Sequence, residues 1–187
     1  GAMSPLPEES FVVNWGSMLD LLFLHAPSVY DFRKRATLWG PISDLVPSTP
    51  VFDMYPLGFA TMLAHLERAG YAVRIANLAA RMVRSERFDP ERLIANVDAR
   101  AYGIDLHWLP HAHGALEVAQ RVKAHHPDAP VILGGYSATY FHRELIRLPY
   151  VDYVLRGDSA EVPLERLMGH ITDGTAPQDV PNLTWRD

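Results

Sequence analysis

The chain has 187 residues, 48% hydrophobic and 21% charged, which is enough for one core with additions and short of two comfortable domains. No apolar run approaches the roughly 20 residues that span a bilayer, and a net charge of −5, from 17 basic and 22 acidic residues, lacks the basic excess of a nucleic-acid binder. The absence of cysteine removes disulfides, thiolate nucleophiles and cysteine ligation of zinc or iron–sulfur clusters from these residues. The expectation is a cytoplasmic protein with a small-molecule or protein partner, and with neither a nucleic acid nor a membrane as partner.

Gly1-Ala2-Met3 reads as a protease-cleavage scar before a native Met, and no signal peptide follows. Residues 1–18 mix Pro, Glu, Ser and Asn and read as an arm. The nearly unbroken apolar run Leu19–His25 predicts a strand buried on both faces of a parallel sheet. A long Pro-containing connection, 26–55, leads to a helix over 56–69 that directs Leu57, Ala60, Leu63, Ala64 and Leu66 to a core and closes at Gly70. A second strand follows at 71–76.

After a basic stretch ending at Arg87, Asp89 and Pro90 read as the N-cap and first residue of a helix to 97. A third strand is expected at 101–107, a helix at 111–126 before Pro127, a fourth strand at 130–133, a helix at 138–148, a fifth strand at 151–155 and a last helix at 162–170. Alternating strands and helices imply an α/β doubly wound, flavodoxin-like (Rossmann-like) fold with a five-stranded parallel sheet of order 2-1-3-4-5 and helices on both faces. Ligands of such sheets bind outside the carboxyl ends of the strands. Functional residues are therefore expected in the connections after each strand.

Four sets of residues there carry chemistry. Gly134-Gly135 ends the fourth strand before Tyr136-Ser137-Ala138-Thr139; it is either an ordinary strand-to-helix turn or a place where a ligand approaches backbone closely. Asp105, His107 and Trp108 sit at the end of the third strand, where alternation puts Asp105 and His107 on one side, able to share a hydrogen bond or to touch a ligand. His107, His111 and His113 do not have the spacing of a metal site on one helical face. The run from Tyr30 to Arg35 interleaves aromatic and basic residues, as either a solvated loop or a holder of a phosphate, carboxamide or partner. No nucleophile elbow, P-loop or dinucleotide fingerprint is present.

Together the segments Tyr55-Pro56-Leu57-Gly58, LAHLERAGYAVRI (63–75), VILGGYSAT (131–139) and VDYVLRGDSAE (151–161) resemble the N-terminal cobalamin-binding domain of B12-dependent radical SAM proteins. The resemblance covers residues 19–187. It implies an arm at 1–18, a cobalamin-binding domain at 19–172 and, at 173–187, a linker toward a radical SAM domain that would bind a [4Fe-4S] cluster and S-adenosylmethionine. It implies a parent methyltransferase that uses methylcobalamin. Related cobalamin domains carry a DxHxxG motif whose histidine ligates cobalt; here Asp53 to Gly58 occupy that register with Tyr55 in the histidine's place. A neutral phenol is a poor cobalt ligand. The resemblance thus implies cobalamin bound with its benzimidazole tail displaced and without a confident protein ligand to cobalt. Gly134, Gly135 and Ser137 would line the tail pocket, with Asp105 in the place of a serine. Further contacts are implied at Tyr55, Gly58, His107 and Trp108, at Tyr136 and Thr139, and at Arg156, Gly157 and Asp158. The alternative is a sensory or protein-interaction domain of the same fold that binds no cobalamin.

Overall fold

The computed structural model describes residues 18–34 and 56–186. Its strands are β1 (Leu19–His25), β2 (Val73–Asn77), β3 (Ala99–Asp105), β4 (Val131–Gly134), β5 (Tyr153–Leu155) and β6 (Leu183–Trp185), in the order β2-β1-β3-β4-β5-β6. The helices are α1 (Leu57–Arg68), α2 (Leu78–Arg84), α3 (Pro90–Asn96), α4 (Ala112–His125), α5 (Tyr136–Tyr140), α6 (His142–Leu145) and α7 (Glu161–Asp173). β1 to β5 pair in parallel in the expected order. The sixth strand was not expected: the polar closing segment turns at Asn182, with φ of 57°, and pairs antiparallel with β5. Three half-buried residues give too short a pattern for alternation to reveal. Among the described residues no helix is long and apolar enough to cross a membrane.

The strands separate two apolar layers. Leu22, Leu24, Tyr102, Ile104, Val131 and Leu133 pack toward α2 to α5, while Leu21, Phe23, Ala101 and Ile132 pack toward α1 and α7. This is the period-two division of a sheet buried on both faces. Burial of each large aliphatic or aromatic side chain contributes about 1.5–3 kcal/mol.

Several elements differ from expectation. In α1 the inward stripe is Phe59, Met62, Leu63 and Leu66, whereas Leu57 is 72% exposed and Ala64 is also exposed. The stripe follows the i, i+3, i+4, i+7 spacing, about one residue out of phase with the expected one. α2 forms in the stretch read only as basic, because Leu78, Ala79 and Met82 face inward and the Asn77 side chain accepts from the Ala80 N–H. The helix expected at 138–148 breaks at Phe141 into α5 and α6. β3 ends at Asp105, two residues early.

The described start of the connection after β1 is built into the fold. Residues 26–31 are buried. Arg33 donates from Nε and Nη2 to Asp31 at 2.9 and 2.8 Å, and from Nη1 to the carbonyls of Ser85, Glu86 and Phe88. The Arg121 guanidinium lies 4.2 Å from the centre of the Tyr30 ring. Gly114 of α4 donates to the Ser28 carbonyl, and a Cβ there would lie 1.6 Å from the Pro27 oxygen, so only glycine fits. Of the run from Tyr30 to Arg35, then, Tyr30, Asp31 and Arg33 anchor the loop; Arg35 lies outside the described residues.

Burial alone would raise the Asp31 carboxyl, but hydrogen bonds from the Arg33 side chain and backbone hold it below the usual carboxylate range. Asp31→Asn should therefore cost about 1–3 kcal/mol at neutral pH. A carboxyl lowered in the folded state stabilises fully above the unfolded value and ceases to do so as pH falls through the folded one. Denaturant melts of parent and variant should differ most above about pH 5; the gap should begin to narrow below about pH 4 and close only below the lowered folded value. A gap that is independent of pH would contradict the ion pair.

Candidate functional site

Parallel pairing lines up residues in rows across the sheet. Phe23, Gly103, Ile132 and Tyr153 pair in one row, and one step nearer the carboxyl edge on the same face Asp105, Gly134 and Leu155 pair in the next. His25 extends that rim row on β1, since Leu24 pairs with Ile104. Two residues of strand rise put the inner row roughly 7 Å below the rim. α1 and α7 begin at this edge and run back over the same face.

Between sheet and helices lies a cavity of about 310 Å³. Its inner wall is Phe23, Phe59, Met62, Ile132 and Leu164, with Phe23 and Phe59 stacked at 4.4 Å. Two glycines shape the floor. The Phe23 ring leans over Gly103 and comes within 2.6 Å of where a Cβ would stand, whereas a Cβ on Gly134 would meet nothing nearer than the Leu155 carbonyl at 3.8 Å. Gly134 thus leaves a void that a side chain would fill. The two covering helices are tied to each other: Thr61 Oγ1 donates to Glu161 at 2.9 Å, and His65 Nε2 meets Glu165 at 2.6 Å.

The rim is polar. His25 is 2% exposed, and its Nδ1 donates to Asp105 Oδ2 at 2.7 Å. A carboxylate can only accept, so the proton sits on Nδ1. Asp105 Oδ1 is buried and has no hydrogen-bond partner among the described residues. The His111 ring stands edge-on to His25 at 5.7 Å. Asp105 shares its hydrogen bond with His25 and not with His107, because β3 ends at Asp105 and the alternation does not reach His107. His107 packs on Tyr136 at 4.4 Å and on Trp108 at 4.9 Å. His113 accepts from the Tyr30 N–H at 3.3 Å.

Of the residues singled out in the sequence, Gly58, Asp105, His107, Trp108, Gly134, Gly135, Tyr136, Gly157 and Asp158 line the cavity. Tyr55 lies outside the described residues; its neighbour Pro56 lines the mouth. Ser137, Thr139 and Arg156 are not among the lining residues. They shape the turns instead: Ser137 donates to the His107 carbonyl, Thr139 donates to the Gly135 carbonyl and accepts from Gly157 N–H, and Arg156 donates to the Asn182 carbonyl. Sequence reading missed His25, Phe23, Phe59 and Gly103. His25 had a signal, as a polar residue ending an apolar strand.

Residues 44–167 match the family model described as the B12 binding domain. The chain belongs to the B12-binding domain family. No curated protein sequence matches it. The B12-binding domain is similar in structure to the radical S-adenosylmethionine methyltransferase TsrM from Kitasatospora setae. The TsrM structure with cobalamin and a [4Fe-4S] cluster bound is 18% identical, with a TM-score of 0.64 over 91% of this chain and 29% of that one. The structure with tryptophan substrate and the SAM analogue aza-SAM is 18% identical, with a TM-score of 0.61 over 90% and 28%. At this identity the likeness establishes the fold, and the chain spans less than a third of TsrM's length.

The two adjacent glycines of this B12-binding domain should respond differently to substitution. Gly135 has φ of 111°, and a Cβ would lie 2.8 Å from backbone atoms of Leu106 and His107, so Gly135→Ala should cost about 1–3 kcal/mol. Gly134→Val should stay within about 1 kcal/mol of the parent while filling the void. Thermal melts of both variants check this contrast; a loss in Gly134→Val as large as that in Gly135→Ala would contradict the void over Gly134.

Proposed function

We propose that this domain holds cobalamin with the benzimidazole tail drawn away from cobalt and seated in the cavity, as the cofactor module of a longer radical SAM methyltransferase. The observation that carries the reading is the cavity itself. It sits at the low end of the about 300–1,000 Å³ range of small-molecule sites, too small for a corrin ring and ample for a flat aromatic appendage. Its apolar depth suits the base and its polar rim suits the hydroxyls of the ribose. Asp105 Oδ1, buried and open to one more donor, fits a hydroxyl or amide of the ligand. The void over Gly134 is the space such a tail requires.

The corrin would lie across the mouth, where Leu57, Trp108 and Tyr136 are exposed at 72%, 41% and 52%. Apolar groups presented at the edge of a pocket suit a broad flat ring better than water does. In the sequence register of related domains, Tyr55 takes the position of the ligating histidine. A neutral phenol is a poor ligand for cobalt, so no bond to the metal is assigned to it. When bound, the cofactor supplies a cobalt centre able to carry a methyl group. The chain's share is to bind, orient and shield it.

In the whole protein we place the [4Fe-4S] cluster and S-adenosylmethionine on a radical SAM domain beyond this one, and the protein in the cytoplasm. Residues 1–18 would form an arm, 19–172 the cofactor domain, and 173–187, which include β6, the path toward the catalytic domain. The likeness to TsrM over the fold supports this arrangement.

The test is to mix the protein with hydroxocobalamin, desalt it and record the visible spectrum. Retained cobalt absorbance of the tail-displaced type is the expected outcome; a colourless protein would overturn the reading. Tyr55→Phe should leave the retained spectrum nearly unchanged, and a large shift would show that the tyrosine oxygen does bond cobalt.

A further inference from the structure

We propose that the inner row of the cavity selects the lower base of the corrinoid, admitting a benzimidazole or another apolar aromatic base and rejecting a purine. This rests on the reading that the tail occupies the cavity. The argument is one of hydrogen-bond supply. A purine has two ring nitrogens where benzimidazole has carbons, and adenine adds an amine.

Each of these groups is hydrated in water and needs a partner when buried. The inner wall offers none among its described residues: Phe23, Phe59, Met62, Ile132 and Leu164 carry no N–H or O–H. The backbone N–H groups of β1, β3 and β4 at this level are engaged in the parallel ladder. Polar side chains begin one row higher, at Asp105 and His25, which are hydrogen-bonded to each other, and the remaining polar lining, His107, Trp108, His111, Tyr136 and Asp158, lies on the connections beyond the strand ends, away from the inner wall. Asp105 Oδ1 can accept one amine hydrogen there, but an acceptor does nothing for ring nitrogens, which require donors.

The same wall favours what a dimethylbenzimidazole presents. The Phe23–Phe59 pair offers an aromatic surface against which a flat ring packs well. Gly103 fixes the place of that surface, since any side chain there would push the Phe23 ring aside. Methyl groups on the far edge of the base would meet Met62, Ile132 and Leu164, the kind of contact that apolar burial rewards. The distinction between bases therefore comes chiefly from leaving purine nitrogens without partners, which is how apolar pockets discriminate most strongly.

The test compares four corrinoids on the 187-residue protein by equilibrium dialysis with absorbance readout: cobalamin, the adenine-base cobamide, the p-cresol-base cobamide and cobinamide, which has no base. The adenine form should bind about tenfold to a hundredfold more weakly than cobalamin, no better than cobinamide. The p-cresol form, a ring without nitrogens, should bind within about threefold of cobalamin. Adenine cobamide binding as well as cobalamin, with cobinamide weaker, would overturn the selectivity and leave the tail in the cavity. Equal binding of all four would overturn both. Met62→Gln, which places an amide on the inner wall, should narrow the ratio of cobalamin to adenine cobamide, with circular dichroism verifying the fold; an unchanged ratio in a folded variant would contradict the mechanism.

Discussion

A parallel sheet brings every strand end to one edge, and here its two central strands carry glycine near that edge, at Gly103 and Gly134. A side chain at Gly134 would fill the gap between the sheet and α1 and α7, and one at Gly103 would push the Phe23 ring aside. Without them the gap over Gly134 stays open, and the surrounding residues complete it as a room with an apolar depth and a polar lip. Phe23 can lean across Gly103 only because no Cβ stands there. The turn beyond Gly134 holds its shape because Gly135 takes a positive φ against the backbone of Leu106 and His107. The cavity is thus a consequence of missing side chains held in place by closely fitted backbone.

The two faces of the sheet divide the work. On the face of α2 to α5 the contacts are tight: Gly114 touches the Pro27–Ser28 backbone, Arg33 gathers Asp31 and three carbonyls, and Arg121 covers Tyr30. This fixes the end of β1 and with it His25. On the other face α1 and α7 are linked by polar pairs on their outer sides, Thr61 with Glu161 and His65 with Glu165, so that they cover the cavity together. Rigidity beneath and a paired cover above suit a site that must hold a large cofactor in one orientation.

Much of this was legible in the sequence. The apolar run of β1, the Gly134-Gly135 turn and the Asp89-Pro90 helix start each have a local cause that a linear reading detects; alternation implied a parallel sheet, and its order is the common one for five strands at this length. The phase of α1 was misread because Leu57 is apolar yet lies at the mouth, where its use is surface and not core. The His25–Asp105 pair escaped because its partners are 80 residues apart and meet only through the β1–β3 register. β6 escaped because three polar-flanked residues become a strand only when an edge is available to pair with. Gly103, an isolated glycine in a strand, is a recognised sign of close approach, here by an aromatic ring.

The central claim, that the sheet face opened by Gly103 and Gly134 receives the tail of cobalamin, is tested most directly by nuclear Overhauser contacts in the complex with diamagnetic Co(III) cobalamin. The account predicts contacts from the two methyl groups of the benzimidazole to the side chains of Met62, Ile132 and Leu164, at the inner wall. Contacts of those methyl groups with corrin protons alone, or none with the protein, would contradict it.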